Sequence, residues 1–295
     1  MTNAAADPTR GQSVDIGPVA LWVDVQGSVD GEPIVLLTGA ETPGFRWTPA
    51  IVDPLVNSGY RVVRFDYRDC GRSTRFGAGD GYSLLDMADD VVALLDHLSI
   101  AAAHLVGRSM GGMIAQIIAL DHPGRVRSLT FIGTTPGAGD ERLAGPDDDF
   151  VEKMTLRLFE GPPRELEEQV EWIVDLAGLM NGPLYPLDRV AEAALARAEI
   201  ETGWAAETGH GVAVHSSPSR LDRLAEIDAP TLVVHGTVDP VFPIDHGRAL
   251  AEGISGAVYI EVEGLGHEVP DAFATDLWPV LQRHLSASSA WPDHT

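Results

Sequence analysis

The chain has 295 residues, enough for one large α/β domain or two modest ones. Asp and Glu number 44 against 20 Lys and Arg, a formal charge of −24, so nucleic acid and anionic membranes would be repelled rather than bound. A single cysteine, Cys70, excludes an internal disulfide and any Cys-rich metal site, and 44% hydrophobic with 22% charged residues excludes disorder over most of the length.

The opening MTNAAADPTRGQSVDIG has neither a basic nor an apolar segment of the kind a secretion signal needs. No apolar run reaches the roughly 18 residues of a spanning helix. A cytoplasmic protein is therefore expected. From there, short β-type runs alternate with helical stretches. GPVALWVDV (17–25) and EPIVLLTG (32–39) read as strands, TPAIVDPLVNSG as a helix and RVVRFDYR (61–68) as a strand. In 82–100 the apolar residues Leu84, Leu85, Met87, Val91, Val92, Leu94 and Leu95 follow the 3.6-residue period of a packed helix. AAHLVG (102–107) is then a strand, MGGMIAQIIALDHP (110–123) a helix and VRSLTFIGTT (126–135) a strand. Strands that are apolar throughout and separated by helices predict a parallel sheet covered on both faces.

The alternation stops at PGAGD (136–140). Acidic amphipathic segments such as 164–180 and 189–207 follow, and strands resume only at APTLVVHGTVD (229–239) and AVYIEVEGLGH (257–267). A last helix over about 271–286 leads into a polar tail. Residues 1–135 and 222–295 are thus expected to form an α/β core, and 136–221 a helical cap over the carboxyl edge of the sheet, where open α/β folds bind ligands.

Gly107-Arg108-Ser109-Met110-Gly111 is a GxSxG pattern that follows a predicted strand and opens a predicted helix, the context in which it marks a nucleophile turn. The helix N-terminus behind Ser109 favours negative charge developing there. A serine needs a base, and His267, in Gly264-Leu265-Gly266-His267 after the last strand, is placed to swing over the sheet edge. The base needs an orienting acid. Asp239, ending the strand before it, is favoured over Asp245 and Asp140. Two backbone N–H groups should stabilise an oxyanion: that of Met110, and that of Ala40 in the loop after strand 32–39. Arg108 either recognises an anionic substrate group or pairs near the turn. Cys70 lies in a structural turn (68–73), and the acidic run 147–149 has no metal-loop spacing. Trp47, Trp172, Leu176, Met180, Tyr185 and Trp204 are candidate pocket walls, each of which core packing would equally explain.

VVRFDYRDCGRST (62–74), HLVGRSMGGMIAQIIALDHPGRVRSLT (104–130), PSRLDRLAEIDAPTLVV (218–234), DPVFPIDHGRALAEGI (239–254) and GLGHEVP (264–270) carry a resemblance over nearly the full length. The chain resembles the α/β-hydrolase fold serine hydrolases, and within them the aclacinomycin methylesterase-like group. The loop 38–47 and the insertion 141–217 depart from that group. The resemblance implies an α/β-hydrolase fold, a mostly parallel sheet flanked by helices with an inserted helical cap. It also implies Ser109, Asp239 and His267 as a triad and Ala40 and Met110 as the oxyanion positions.

The expected activity is hydrolysis of a carboxylic ester, methyl esters included, of a small, largely apolar or polyketide-like molecule through an acyl-enzyme. No metal or cofactor is expected, the partner is a small-molecule substrate, and nothing in the sequence specifies an oligomeric state. C–C bond hydrolysis, lactone hydrolysis, perhydrolysis and acyl transfer are alternatives on the same triad. A non-catalytic receptor of the same fold is the alternative from another class.

Overall fold

The computed structural model describes residues 10–77, 81–205 and 208–288. Its eight-stranded sheet is built from β1 (Gln12–Asp15), β2 (Ala20–Gln26), β3 (Pro33–Leu37), β4 (Arg61–Phe65), β5 (Ala103–Arg108), β6 (Val126–Ile132), β7 (Thr231–Gly236) and β8 (Val258–Val262). The spatial order is β1-β2-β4-β3-β5-β6-β7-β8. β2 runs antiparallel to β1 and β4, and every pairing from β4 to β8 is parallel. The strand β1, short and exposed at three of its four positions, has no apolar run to announce it.

The central strands are apolar at consecutive positions because both of their faces are covered. In β3, Val35 and Leu37 join the layer formed with α2 (Leu84–His97) and α3 (Met110–Asp121). Ile34 and Leu36 point the other way, into the layer formed with α1 (Pro49–Asn57) and α9 (Asp271–Ser288). Local chemistry fixes the helix ends. Ser83 and Asp86 form a reciprocal capping box at the start of α2. α3 is buried at nearly every position, which is why its sequence is apolar all round.

Between β6 and β7 the described residues form α4 (Asp148–Glu160), α5 (Leu166–Met180), α6 (Arg189–Glu201) and α7 (His210–Ser216), and no strand. Asp147 caps α4 by accepting the Phe150 N–H, with Asp148 and Asp149 in its first turn, where acidic groups complement the helix dipole. α5 and α6 bury a small apolar cluster of their own, Val170, Ile173, Val174 and Ala196. α8 (Ile244–Gly253) lies between β7 and β8. Among the described residues no helix is long and apolar enough to cross a membrane.

Strand order reverses at β3: β4 lies on one side of it, and β5 to β8 follow on the other. The crevice at the carboxyl ends of β3 and β5 is therefore the position where an open α/β sheet binds ligands. Ala40 follows β3 and Ser109 follows β5, so both reach that crevice.

Candidate active site

Ser109 sits at the apex between β5 and α3 with φ 52° and ψ −124°, a left-handed backbone that costs a non-glycine residue roughly 1–3 kcal/mol. The neighbouring chains compensate. Ser109 N–H donates to Ile132 O at 3.0 Å, and its carbonyl accepts from Gly112 N–H at 2.9 Å and Thr134 Oγ1–H at 2.6 Å. The glycine at 111 is needed for close approach: a Cβ there would lie 2.3 Å from Leu37 O.

His267, in the loop after β8, is buried, and its Nε2 is 3.0 Å from Ser109 Oγ. Its Nδ1 is 2.8 Å from Asp239 Oδ2. A carboxylate only accepts, so Nδ1 carries the proton and Nε2 is left bare toward the serine hydroxyl. The other carboxylate oxygen of Asp239 accepts the Val241 and Phe242 N–H groups, each at 2.9 Å. Burial pushes the Asp239 carboxyl up, but the attraction and hydrogen bond of His267, helped by His235 and Phe242 N–H, hold it below the ordinary carboxylate range. Asp140 and Asp245 are engaged elsewhere, with Arg142 and with the Ala144 N–H respectively. The arrangement is a line in which a serine hydroxyl can lose its proton to an imidazole whose cation faces a buried carboxylate.

The loop after β3 lies against the serine, since a Cβ on Gly39 would come 3.4 Å from Ser109 Cβ. Among the described residues neither the Ala40 nor the Met110 N–H has a hydrogen-bond partner within the protein, as open oxyanion donors require. Thr38 Oγ1–H donates to Thr42 O at 2.7 Å and Thr42 Oγ1–H to Ala40 O at 2.9 Å, so the loop is braced internally.

The six candidate wall residues divide. Met180, at the end of α5, gives its carbonyl to the His267 N–H at 2.7 Å. Trp204 stacks edge-on with Trp172, ring centres 5.8 Å apart, against the α5–α6 cluster. Trp204 also lines a small cavity with Glu41, Asp69, Arg75 and Glu199. Leu176 is half-buried on α5. Trp47 is buried in the layer between the sheet and α1 and α9, and Tyr185 packs on Phe273 of α9 with its hydroxyl on Asp276. Their large apolar area contributes to that layer.

Sequence reasoning missed several residues around the line. Gly133, directly after β6 with φ 50°, leaves space that a Cβ would close to 3.2 Å from Asp239 Oδ2 and 3.5 Å from His267 Nδ1. Its only sequence signal is a glycine directly after a strand. Arg108, for which the sequence offered pairing as one of two roles, pairs with Glu268. His210, His235 and His246 are buried and hydrogen-bonded in structural positions. Arg46, in the turn Gly44–Arg46, forms ion pairs with Glu192 and Glu199 of α6, joining the core to the insertion. Among the described residues no cluster of three or more His, Cys, Asp or Glu is disposed to hold a metal.

Comparison with known proteins places the chain in a family. The family model for the alpha/beta hydrolase fold matches residues 32–271. Rhodomycin D methylesterase DnrP of Streptomyces peucetius is 32% identical, over 96% of this chain and 99% of its own. A 2-hydroxy-6-oxononadienedioate/2-hydroxy-6-oxononatrienedioate hydrolase of Paraburkholderia phymatum is 31% identical, over 80% and 81%. Among solved structures, Est816, an N-acyl homoserine lactone degrading enzyme, superposes with a TM-score of 0.73 at 27% identity, covering 92% of this chain and 99% of its own. The chain belongs to the alpha/beta hydrolase fold family.

Proposed function

We propose that the chain is a serine esterase that hydrolyses a carboxylic ester, methyl esters included, of a small, largely apolar or polyketide-like molecule. The observation that carries this reading is the continuous line Ser109 Oγ–His267 Nε2–Asp239, with contacts of 3.0 and 2.8 Å, beside two uncommitted backbone N–H groups. Similarity to a rhodomycin D methylesterase over nearly the whole chain supports an ester as the bond and a polyketide-like acyl group as its carrier.

In this mechanism Ser109 Oγ attacks the ester carbonyl while His267 Nε2 takes its proton. The negative oxygen of the tetrahedral intermediate is held by the Ala40 and Met110 N–H groups. The imidazolium, stabilised by Asp239, then gives its proton to the leaving alcohol as the C–O bond breaks. Water repeats the sequence on the acyl-enzyme: His267 takes a water proton, hydroxide adds to the carbonyl, and Ser109 leaves with that proton restored. The helical insertion acts as a cap over the crevice, and its contacts with the catalytic loops through Met180, Arg46 and His210 support that role.

Turnover of p-nitrophenyl and methyl esters by the wild type and by Ser109→Ala tests the reading. The expected result is wild-type turnover that falls about 10⁴-fold or more in the variant. Equal activity of the two proteins overturns the mechanism. Faster cleavage of a lactone or a vinylogous 1,5-diketone than of any ester would leave the triad standing and change the bond it breaks.

A further inference from the structure

We propose that His210, a residue of the helical insertion, is a positioning residue for the oxyanion hole, holding the Ala40 loop in place through the Glu41 N–H. The inference rests on the esterase reading above and adds to it a group that touches neither substrate nor the reacting atoms.

His210 is completely buried at the start of α7. Its Nε2 is 2.8 Å from the Arg68 carbonyl, which can only accept, so Nε2 carries the ring proton. Nδ1 is then a bare acceptor, and it receives the Glu41 N–H at 2.8 Å. Burial holds the imidazole pKa below its ordinary value, which keeps that acceptor available at neutral pH. The ring is also fixed in orientation, standing edge-on to Tyr67 and Tyr82 with centres 6.2 and 6.0 Å away.

Glu41 needs a holder. Its φ of 61° is left-handed for a residue with a side chain, a conformation that persists only where surroundings impose it. The peptide joining Ala40 to Glu41 is gripped at both ends, its carbonyl by Thr42 Oγ1–H at 2.9 Å and its N–H by His210. Thr208 adds a third grip by donating its hydroxyl to Glu41 Oε1 at 3.1 Å. Fixing that plane fixes the ψ of Ala40, and with it the position of the Ala40 N–H one peptide earlier. Gly39 before it offers little resistance to rotation. Losing one oxyanion donor costs roughly 10²–10³ in kcat, and a displaced donor part of that. The insertion thereby completes the oxyanion hole from outside the core.

The test is steady-state kinetics on p-nitrophenyl butyrate for wild type, His210→Ala, His210→Gln and His210→Asn, with Ser109→Ala as control. The Asn amide oxygen lies near the place of Nδ1 and accepts the Glu41 N–H, whereas Gln reaches toward Arg68 O. His210→Ala and His210→Gln are expected to lower kcat about 10–100-fold with KM within about threefold, and His210→Asn to recover kcat to within about threefold of wild type. Rescue by Gln and not by Asn, kcat within twofold in every variant, or a loss confined to KM overturns the proposal. Should the variants not fold, exchange of the Glu41 amide in wild-type protein decides. Exchange as slow as that of the central strands upholds the bond, and exchange at an exposed-loop rate overturns it. A wild type that turns over no ester defeats the esterase reading instead, and the same amide measurement then judges His210 alone.

Discussion

Arg108 Nη2 lies 2.8 Å from Glu268 Oε2, and each residue is the chain neighbour of a member of the proposed catalytic line, Arg108 preceding Ser109 and Glu268 following His267. The nucleophile turn and the base loop are thus tied by an ion pair as well as by the Ser109–His267 hydrogen bond. Both side chains are largely covered, at 15% and 17% exposure, so screening by water is limited. Glu268→Gln keeps the shape and removes the charge. A kcat reduction of about 3–10-fold with little change in KM for a neutral ester is expected, with Arg108→Gln similar and the double variant no worse than either single one. The freed Arg108 in Glu268→Gln should also lower KM for an ester carrying a carboxylate. Kinetics on a matched neutral and anionic ester pair check both statements.

Arg46 is the second junction between core and insertion. Burial opposes its charge, but Glu199 and Glu192 outweigh that and hold the guanidinium more firmly protonated than usual. Glu199 itself is pushed up by burial. Replacing Arg46 by Met leaves two carboxylates buried without a partner, which should cost about 3–5 kcal/mol of stability. Changing Glu192 and Glu199 to Gln in the same chain should recover most of that loss, because the expense lies in the orphaned charges and not in the missing bonds. Thermal melts of the single and triple variants measure it. A triple variant as unstable as Arg46→Met would contradict this account.

The line itself was legible because its constraints are local. A tight strand–turn–helix with a serine at its apex demands small neighbours, and Gly107 and Gly111 display that need in the sequence. Asp239 and His267 follow strands whose apolar runs are plain. What lay beyond the sequence are contacts between distant segments. Glu41 and His210 are 169 positions apart, and Arg46 lies 146 and 153 positions from its two glutamates. The Met180 contact with His267 uses a carbonyl, which every residue type possesses, so no pattern of side chains announces it. Trp47 shows that a tryptophan near a loop is compatible in sequence with either wall or core, and only the fold shows the sheet–helix layer it packs in.

Gly133 gives a steric prediction. Alanine there would bring a methyl group to 3.2 Å from Asp239 Oδ2 while occupying a φ of 50°. The backbone strain should cost about 1 kcal/mol of stability, and the displaced carboxylate should lower kcat about tenfold by tilting the imidazole away from Ser109. A Gly133→Ala protein with wild-type kcat would show that the Asp239–His267 pair tolerates movement that its close packing argues against.

Glu41 carries a pH dependence of determinate sign. Burial first, then repulsion from Asp69 and Glu199, push its pKa from 4.5 to about 7 against the opposing hydrogen bond from Thr208. The folded chain therefore holds this proton more tightly than the unfolded chain does. Its stabilising contribution is fully present below about pH 4.5 and is lost as pH rises through about 7. Glu41→Gln keeps an acceptor for the Thr208 hydroxyl and never ionises. The variant and the wild type should melt together near pH 4.5. At pH 8 the variant should be more stable by about 3 kcal/mol, the free energy of the lost proton. Melting curves from pH 4.5 to 8.5 supply the comparison. Parallel curves would mean that Glu41 ionises in the fold without penalty, so that water or movement of the loop relieves the burial that Asp69, Glu199 and the insertion impose.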